Sequence, residues 1–262
     1  MEVYKGMSQM SAPELTENTR IALFVTCLVD LMRPEIGFAT LALLERAGCE
    51  VVVPPDQTCC GQPAFNAGDR ASAHRLAERV LALLEPYDFV VIPSGSCAGM
   101  IKVHYVELFS DDPTLRRRMA DLAPRIYELS DFLVKVMQVS EVPGRSQGTI
   151  TYHDSCSGLR ELGIQEQPRR LLKMIPGLKI EEMRDSRACC GFGGTFSLKY
   201  GEVSSAIADE KISQVQATGA QAVVLGDLGC MLHLEGRLRR LGDDKTQVLH
   251  IAQVLAGELE GS

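Results

Sequence analysis

Eight of the nine cysteines in this chain form two sets of four with nearly the same spacing. The sets are Cys27, Cys59, Cys60 and Cys97 in the first half, and Cys156, Cys189, Cys190 and Cys230 in the second. The first interval is 32 positions in one set and 33 in the other, and the last interval is 37 and 40. Four thiolates are the usual ligand number for a zinc ion or a [4Fe–4S] cluster, so the pattern indicates one or two such sites.

A glycine follows each adjacent pair, so the tripeptide Cys-Cys-Gly occurs twice. Neighbouring side chains of a strand point to opposite faces, and two adjacent cysteines can reach one centre only where the backbone turns. Gly61 and Gly191 allow the positive φ that such a turn often needs, and they let backbone N–H groups approach a sulfur. Adjacent cysteines can also pack as small hydrophobes. Cys49 has no counterpart in the second half, and we predict that it packs in the core.

Composition restricts the class of protein. The chain has 262 residues, 45% of them hydrophobic, and a net charge of −7, which indicates one large or two ordinary globular domains. No basic stripe predicts nucleic-acid binding. No apolar run reaches the ~18 residues of a transmembrane segment, and no signal peptide is recognisable, so we expect a cytoplasmic protein. In that reducing compartment, nine cysteines indicate metal binding or redox chemistry rather than disulfides.

The pattern of the first half predicts the elements that position its cysteines. Apolar runs predict strands at 20–27, 49–54 and 88–93, with helices at 35–48 and 70–85 between them. Strands that alternate with helices are typical of a parallel sheet covered by helices. Residues 111–139 are also predicted to be helical, with a break at Pro124.

The second half repeats this order, with strands at 148–156, 178–183 and 220–230 and helices at 167–175 and 203–219. The predicted fold class is therefore α/β, with two pseudo-repeated β-α-β domains and parallel sheets. Each outer cysteine follows the carboxyl end of a strand, the edge at which open parallel sheets bind ligands.

A segment rich in proline and glycine at 141–148 is the predicted linker. The resulting division is a flexible leader at 1–19, a first domain at 20–145 and a second domain at 146–262.

Four longer strings resemble a known family. They are CCGQPAFNAG at 59–68, PSGSCAGM at 93–100, HDSCSGLRELG at 153–163 and CCGFGGTFS at 189–197. They resemble the CCG-domain (cysteine-rich domain) family, which includes a heterodisulfide reductase component and the iron–sulfur subunit of glycolate oxidase. Within it, they look most like the lactate-utilisation branch, and the resemblance covers roughly residues 20–240.

The resemblance implies an iron–sulfur oxidoreductase subunit in a multi-protein complex that oxidises L-lactate or another small 2-hydroxy acid. It implies that the eight paired cysteines hold one or two clusters, and that electrons pass to or from partner iron–sulfur or ferredoxin-type subunits. The family ends each repeat with CxxC, whereas this chain has Ser94 and Asp227 in place of the first cysteine of that pair. Relatives with five cysteines per repeat hold a noncubane cluster. Four cysteines favour a [4Fe–4S] cubane, and the cluster type stays open.

His153, three residues before Cys156, is the candidate catalytic residue. It could donate a hydrogen bond to a sulfide, carry a proton or bind a metal, although a purely structural histidine fits equally well. Phe24 is its counterpart in the first half, so the two sites differ. Weaker candidates for the same cleft are Lys102, His104 and His233.

Two other functions account for part of the pattern. A structural zinc module would use Cys₄ sites, although such sites usually contain short CxxC spacings. A thiol–disulfide enzyme would use the adjacent cysteines without metal, which leaves the outer cysteines without a role. We therefore predict an iron–sulfur oxidoreductase component and keep a structural zinc module and a heterodisulfide or thiol–disulfide reductase-type subunit as alternatives.

Overall fold

A computed structural model of the chain describes residue 16 and residues 19–257. The predicted leader at 1–19 lies outside the described residues, apart from Thr16 and Thr19. Within the described part of the chain, no helix is both long enough and apolar enough to cross a membrane.

The first half forms a four-stranded parallel sheet. Its strands are β1 (Ile21–Leu23), β2 (Val51–Val52), β3 (Phe89–Ile92) and β4 (Ile126–Glu128), in the spatial order β2-β1-β3-β4. Its α-helices are α1 (Cys27–Met32), α2 (Pro34–Arg46), α3 (Gln62–Asn66), α4 (Arg70–Leu84), α5 (Gly95–Gly99), α6 (Tyr105–Leu108), α7 (Pro113–Leu122) and α8 (Leu129–Lys135). A π-helical segment, Met100–His104, joins α5 to α6, and a 3₁₀ turn, Ala123–Arg125, precedes β4.

The second half repeats the sheet. Its strands are β5 (Gly148–His153), β6 (Leu178–Ile180), β7 (Ala222–Leu225) and β8 (Gln247–His250), in the spatial order β6-β5-β7-β8. Its α-helices are α9 (Cys156–Leu162), α10 (Glu166–Leu172), α11 (Phe196–Lys199), α12 (Gly201–Ala217), α13 (Leu228–Arg240) and α14 (Ile251–Ala256).

The structure confirms the predicted α/β class with two pseudo-repeated parallel sheets. The helix predicted at 111–139 is interrupted at Pro124, as expected, but the strand β4 that follows the interruption was not predicted, and neither was β8. These edge strands have three and four residues, too few for apolar periodicity to reveal a strand. The prediction also lacks α9, which begins at Cys156 where a strand was expected to end. The division into two domains near residue 145 stays a prediction.

The order of the strands places a crevice at the carboxyl edge of each sheet. After β1 the chain crosses outward to β2, and it then returns to β3 on the other side of β1. The second sheet does the same around β5. Connections that leave in opposite directions open a gap at the carboxyl ends of the two central strands, where doubly wound folds bind ligands.

The two halves share a hydrophobic core and also meet at glycines. The buried core contains Leu44 of α2 and Leu255 of α14, two helices that pack together across the halves. Helices α5 and α9 approach each other where Gly95 faces Gly158. Because neither residue has a side chain, the two backbones can come closer than a Cβ would allow.

We expect Gly95→Ala to weaken this contact. A Cβ at Gly95 would lie 2.8 Å from Ser155 Oγ and 3.1 Å from the Gly158 Cα, and backbone cannot move aside as a flexible side chain can. Urea unfolding should show a loss of about 1–3 kcal/mol. Gly236→Ala is the control, because a Cβ there meets nothing within 4 Å and alanine favours the helix by up to about 1 kcal/mol. Equal stability of the two variants would contradict this packing.

Glu128, the last residue of β4, has a buried carboxyl group at the carboxyl edge of the first sheet. Its Oε2 accepts a hydrogen bond from the Ser130 N–H at 2.8 Å and caps α8. Burial raises the pKa of Glu128 from 4.5 to about 7.

This raised pKa predicts a pH-dependent loss of stability. The folded chain holds the Glu128 proton more tightly than the unfolded chain, so this group favours folding most below pH 4.5. Its contribution falls as the pH rises to about 7, by roughly 3 kcal/mol in all. The free energy of unfolding of the Glu128→Gln variant is measured at each pH and subtracted from that of the unsubstituted chain. The difference removes the contribution of the other carboxylates. A difference that is flat between about pH 4 and pH 8 would contradict it.

Candidate metal centres

The first four cysteines come from three places at the carboxyl edge of the first sheet. Cys27 is the first residue of α1, just after β1, and Cys97 lies in α5, just after β3. Cys59 and Cys60 lie in the loop between β2 and α3. The parallel sheet therefore brings together residues that are up to 70 positions apart in sequence, from Cys27 to Cys97.

Sulfur contacts join these four side chains. The Cys60 and Cys97 sulfurs lie 3.4 Å apart. The Cys59 sulfur accepts a hydrogen bond from the Gly61 N–H at 3.4 Å. The neighbouring Cys27 and Cys60 thiols, together with this N–H, lower the pKa of Cys59 to about 3, whereas interaction with Cys59 raises the pKa of Cys27. A thiolate is thus already favoured at Cys59, and thiolate is the form that binds metal.

The second set repeats this arrangement. Cys156 is the first residue of α9, Cys230 lies in α13, and the adjacent pair lies in the loop after β6. The Cys189 sulfur accepts a hydrogen bond from the Gly191 N–H at 3.3 Å. The neighbouring Cys156 and Cys190 thiols, together with this N–H, lower the pKa of Cys189 to about 2. The first cysteine of each pair therefore has equivalent surroundings in both halves.

Both Cys-Cys-Gly turns have the positive φ that was predicted at their glycines. Gly61 has φ +83° and Gly191 has φ +90°, which are conformations that glycine adopts without strain. The glycine N–H in each turn points back to the sulfur two residues earlier. The prediction that these glycines allow a close N–H···S approach is confirmed.

Each set lines its own cavity, and the two cavities share a wall. The four cysteines of the first set line a cavity of about 270 Å³, and the four cysteines of the second set line one of about 250 Å³. Residues that border both cavities are Gln62, Ser96, Phe192 and Gly194. A Cβ on Gly229 would overlap the Phe192 ring, so this glycine makes room for part of the wall. The carboxyl edges of the two sheets therefore face a common region.

Ser94 and Asp227, which replace the missing fifth cysteines, bind each other across the halves. Asp227 Oδ2 accepts from Ser94 Oγ at 3.2 Å and from the Ser96 N–H at 2.8 Å. Its Oδ1 accepts from the Cys230 N–H at 3.4 Å and caps α13. Both carboxylate oxygens of Asp227 thus have partners in the protein, and this residue joins the two repeats at equivalent positions.

Three other residues of interest have different surroundings. Cys49 is buried in the hydrophobic core, where its thiol contacts the Met137 sulfur at 3.5 Å. Lys102 donates to the Ile126 carbonyl at 2.7 Å and lines a separate groove. His233 Nε2 lies 3.1 Å from Ser204 Oγ. None of the three lines either cysteine cavity.

His104 does line the cavity of the second set, although it belongs to the first half. Its Nε2 lies 3.3 Å from the Glu161 carboxylate, whose hydrogen bond raises the pKa of His104. The cavity therefore contains an imidazole that gains a proton more readily than usual, beside polar groups that could hold a small anion.

His153 lies beside the second set, as its position at the end of β5 predicted. Its side chain is fully buried, and burial lowers its pKa to about 3. One ring nitrogen, the Cys190 sulfur and the Cys230 sulfur all lie within 4.8 Å of one another. Phe24, its counterpart in the first half, is also fully buried.

Sequence reasoning missed the shared wall and the pair formed by His104 and Glu161. Gln62 and Phe192 each follow a Cys-Cys-Gly tripeptide directly, so comparison of the two repeats could have found them. No such signal exists for His104 and Glu161, because their contact depends on how α9 packs against the first half.

Comparison with known proteins agrees with this geometry. The family described as cysteine-rich domain (CCG) matches residues 21–102 and 150–235. The chain is 44% identical over 236 residues to lactate utilization protein A of Bacillus cytotoxicus and 43% identical to that of Bacillus subtilis. Each alignment covers 90% of this chain and 98% of the relative.

Among solved structures, a hypothetical protein from Helicobacter pylori superposes with a TM-score of 0.66 at 13% identity. The superposition covers 94% of this chain and 50% of that one, and it shows the fold alone. The duplicated cysteine pattern, the paired sheets and the sequence matches agree with one another. The chain therefore belongs to the cysteine-rich domain family and carries two copies of the domain.

Proposed function

We propose that this protein is an iron–sulfur oxidoreductase subunit that acts with partner proteins in the oxidation of L-lactate or a similar 2-hydroxy acid. The observation that carries the proposal is the convergence of two four-thiol sets on adjoining cavities. The relatives named lactate utilization protein A support the choice of substrate.

The donors of both sets suit iron–sulfur clusters, which are held by cysteine thiolates in groups of four. The residues that would hold them are Cys27, Cys59, Cys60 and Cys97 in the first site, and Cys156, Cys189, Cys190 and Cys230 in the second. When bound, a [4Fe–4S] cluster supplies reversible one-electron transfer. The hydrogen bonds from Gly61 and Gly191 to sulfur would stabilise thiolate charge and so tune the reduction potential.

The cavity of the second set offers a place for a small polar substrate. Its lining includes the amide side chains of Gln62 and Asn66 and the hydroxyl groups of Ser155 and Ser157. These groups can hydrogen-bond a carboxylate and a hydroxyl group, which are the functional groups of a 2-hydroxy acid. His104 adds a group that can carry positive charge opposite the carboxylate or receive a proton.

Partner subunits fit the flow of electrons. Oxidation of a 2-hydroxy acid to a 2-oxo acid releases two electrons and two protons, and a cluster accepts one electron at a time. Two clusters are therefore full after one oxidation and must pass both electrons on before the next. We therefore propose that ferredoxin-type iron–sulfur subunits accept or deliver the electrons. Free thiols at all nine cysteines suit the reducing cytoplasm, where we place the protein.

The test is to purify the full-length protein without oxygen, record its visible spectrum and count iron, sulfide and zinc. We expect a brown protein with a broad thiolate-to-iron absorption band and with iron and sulfide in equal amounts. A colourless protein with stoichiometric zinc would overturn the proposal in favour of a structural zinc module. A metal-free protein whose thiols titrate with a redox couple would favour thiol–disulfide chemistry.

A further inference from the structure

His153 is a buried polar side chain whose ring lacks hydrogen bonds. It is the last residue of β5 and lies in register with Leu225 of β7. Its side chain is fully buried, and within the described residues neither ring nitrogen makes a hydrogen bond. A buried imidazole that has lost its hydrogen bonds to water is unfavourable unless another partner replaces them. The structure therefore contains an unused donor and acceptor at the edge of the second sheet.

The neighbouring carbonyl group of Ser186 already accepts hydrogen bonds from other donors. Ser186 O lies near the ring but outside hydrogen-bonding geometry. It accepts from the Asp154 N–H at 3.2 Å and from the buried Lys211 ammonium at 3.3 Å. A carbonyl oxygen has two lone pairs, and these two donors occupy them. The Ser186 carbonyl therefore does not serve as a hydrogen-bond acceptor for His153.

The ring also lies close to the second cysteine set. A nitrogen of His153 and the sulfurs of Cys190 and Cys230 all lie within 4.8 Å of one another. Imidazole nitrogen and thiolate sulfur together bind zinc in many proteins, and they bind iron in Rieske clusters.

The first half lacks this nitrogen. Phe24 precedes Cys27 by three residues, as His153 precedes Cys156, and it is equally buried. A phenyl ring has no donor atom for a metal. The two repeats therefore present different donor sets, although their cysteines match.

We propose that His153 supplies an imidazole nitrogen as an additional metal ligand in the second site, beside Cys190 and Cys230. The second site then has five protein donors, one more than the four that a [4Fe–4S] cubane uses, whereas the first site has four. The inference rests on the proposed function, because it assumes that this site holds iron. Its consequence is that the two centres are electronically different and have separate reduction potentials, since ligand type tunes the potential of a cluster.

The test detects nitrogen bound to the metal. The full-length chain with Cys60→Ser, which removes a ligand from the first site only, is reconstituted without oxygen from ferrous iron and sulfide. It is prepared once with ¹⁴N-histidine and once with ¹⁵N-histidine, then reduced. We expect pulsed EPR to show a nitrogen hyperfine coupling that changes with the isotope. This comparison needs no substitution at position 153, so the folding of a variant does not limit it.

Two variants locate the nitrogen. His153→Phe copies Phe24 of the first half and should abolish the coupling, whereas the control His233→Phe should retain it, because His233 is bonded to Ser204. Absence of an isotope-dependent coupling at normal iron content, or its persistence in His153→Phe, would overturn the inference. Absence of iron from the unsubstituted chain would instead overturn the proposed function.

Discussion

Replacement of Cys60 or Cys190 by serine is expected to lower the iron content of the anaerobically purified protein by roughly half where both sites are filled, because each substitution removes one ligand of one site. The two cysteines are equivalent members of the two sets, and both are buried beside the last cysteine of their set. Oxygen is a harder donor atom than sulfur, and the serine hydroxyl is less acidic than a thiol. Serine therefore does not replace a cysteine ligand of a cluster well. Iron and sulfide counts on equal protein amounts provide the measurement.

Cys49→Ser is the matched control for these two variants. Cys49 is also a buried cysteine, but it lies in the core against Met137 and lines neither cavity. Its replacement should lower stability, since a hydroxyl group enters apolar surroundings, and leave the iron content unchanged. Equal loss of iron from all three variants would show that the proposed ligand assignment is wrong.

Gly191→Ala is expected to destabilise the second Cys-Cys-Gly turn strongly. Gly191 has φ +90°, and a Cβ there would lie 2.5 Å from the Ser204 carbonyl oxygen and 3.3 Å from the Ala208 nitrogen. Left-handed backbone strain and overlap with the backbone of α12 act together. We expect a loss of about 3 kcal/mol or more in urea unfolding, together with a lower iron content.

Gly48→Ala separates the two causes. Gly48 also has φ +90°, but a Cβ there meets nothing within 4 Å, so its variant reports backbone strain alone, about 1–2 kcal/mol. Gly61→Ala should lie between them, because its closest contact would be 3.4 Å from the Ala73 carbonyl oxygen. A loss for Gly191→Ala no larger than that for Gly48→Ala would contradict the close packing of this turn on α12.

The cysteine spacing by itself determined the two equivalent sets and their place at the edge of each sheet. This was possible because strand and helix periodicity is local, and because parallel strands always bring their carboxyl ends to one edge. The glycines of the two turns were predictable for the same reason, since an adjacent cysteine pair requires a local change of direction. The edge strands β4 and β8 were not predictable from the sequence, because runs this short carry too little periodicity.

Only the tertiary structure decided how the two sets are placed relative to each other. The hydrogen bond between Ser94 and Asp227 joins residues 133 positions apart. Comparison of the two repeats in the sequence showed only that these residues stand in place of cysteines. The shared wall at Phe192 and the unpaired nitrogens of His153 likewise depend on how the halves and strands pack. Such contacts come from the fit of distant surfaces, which periodicity and spacing along the chain do not encode.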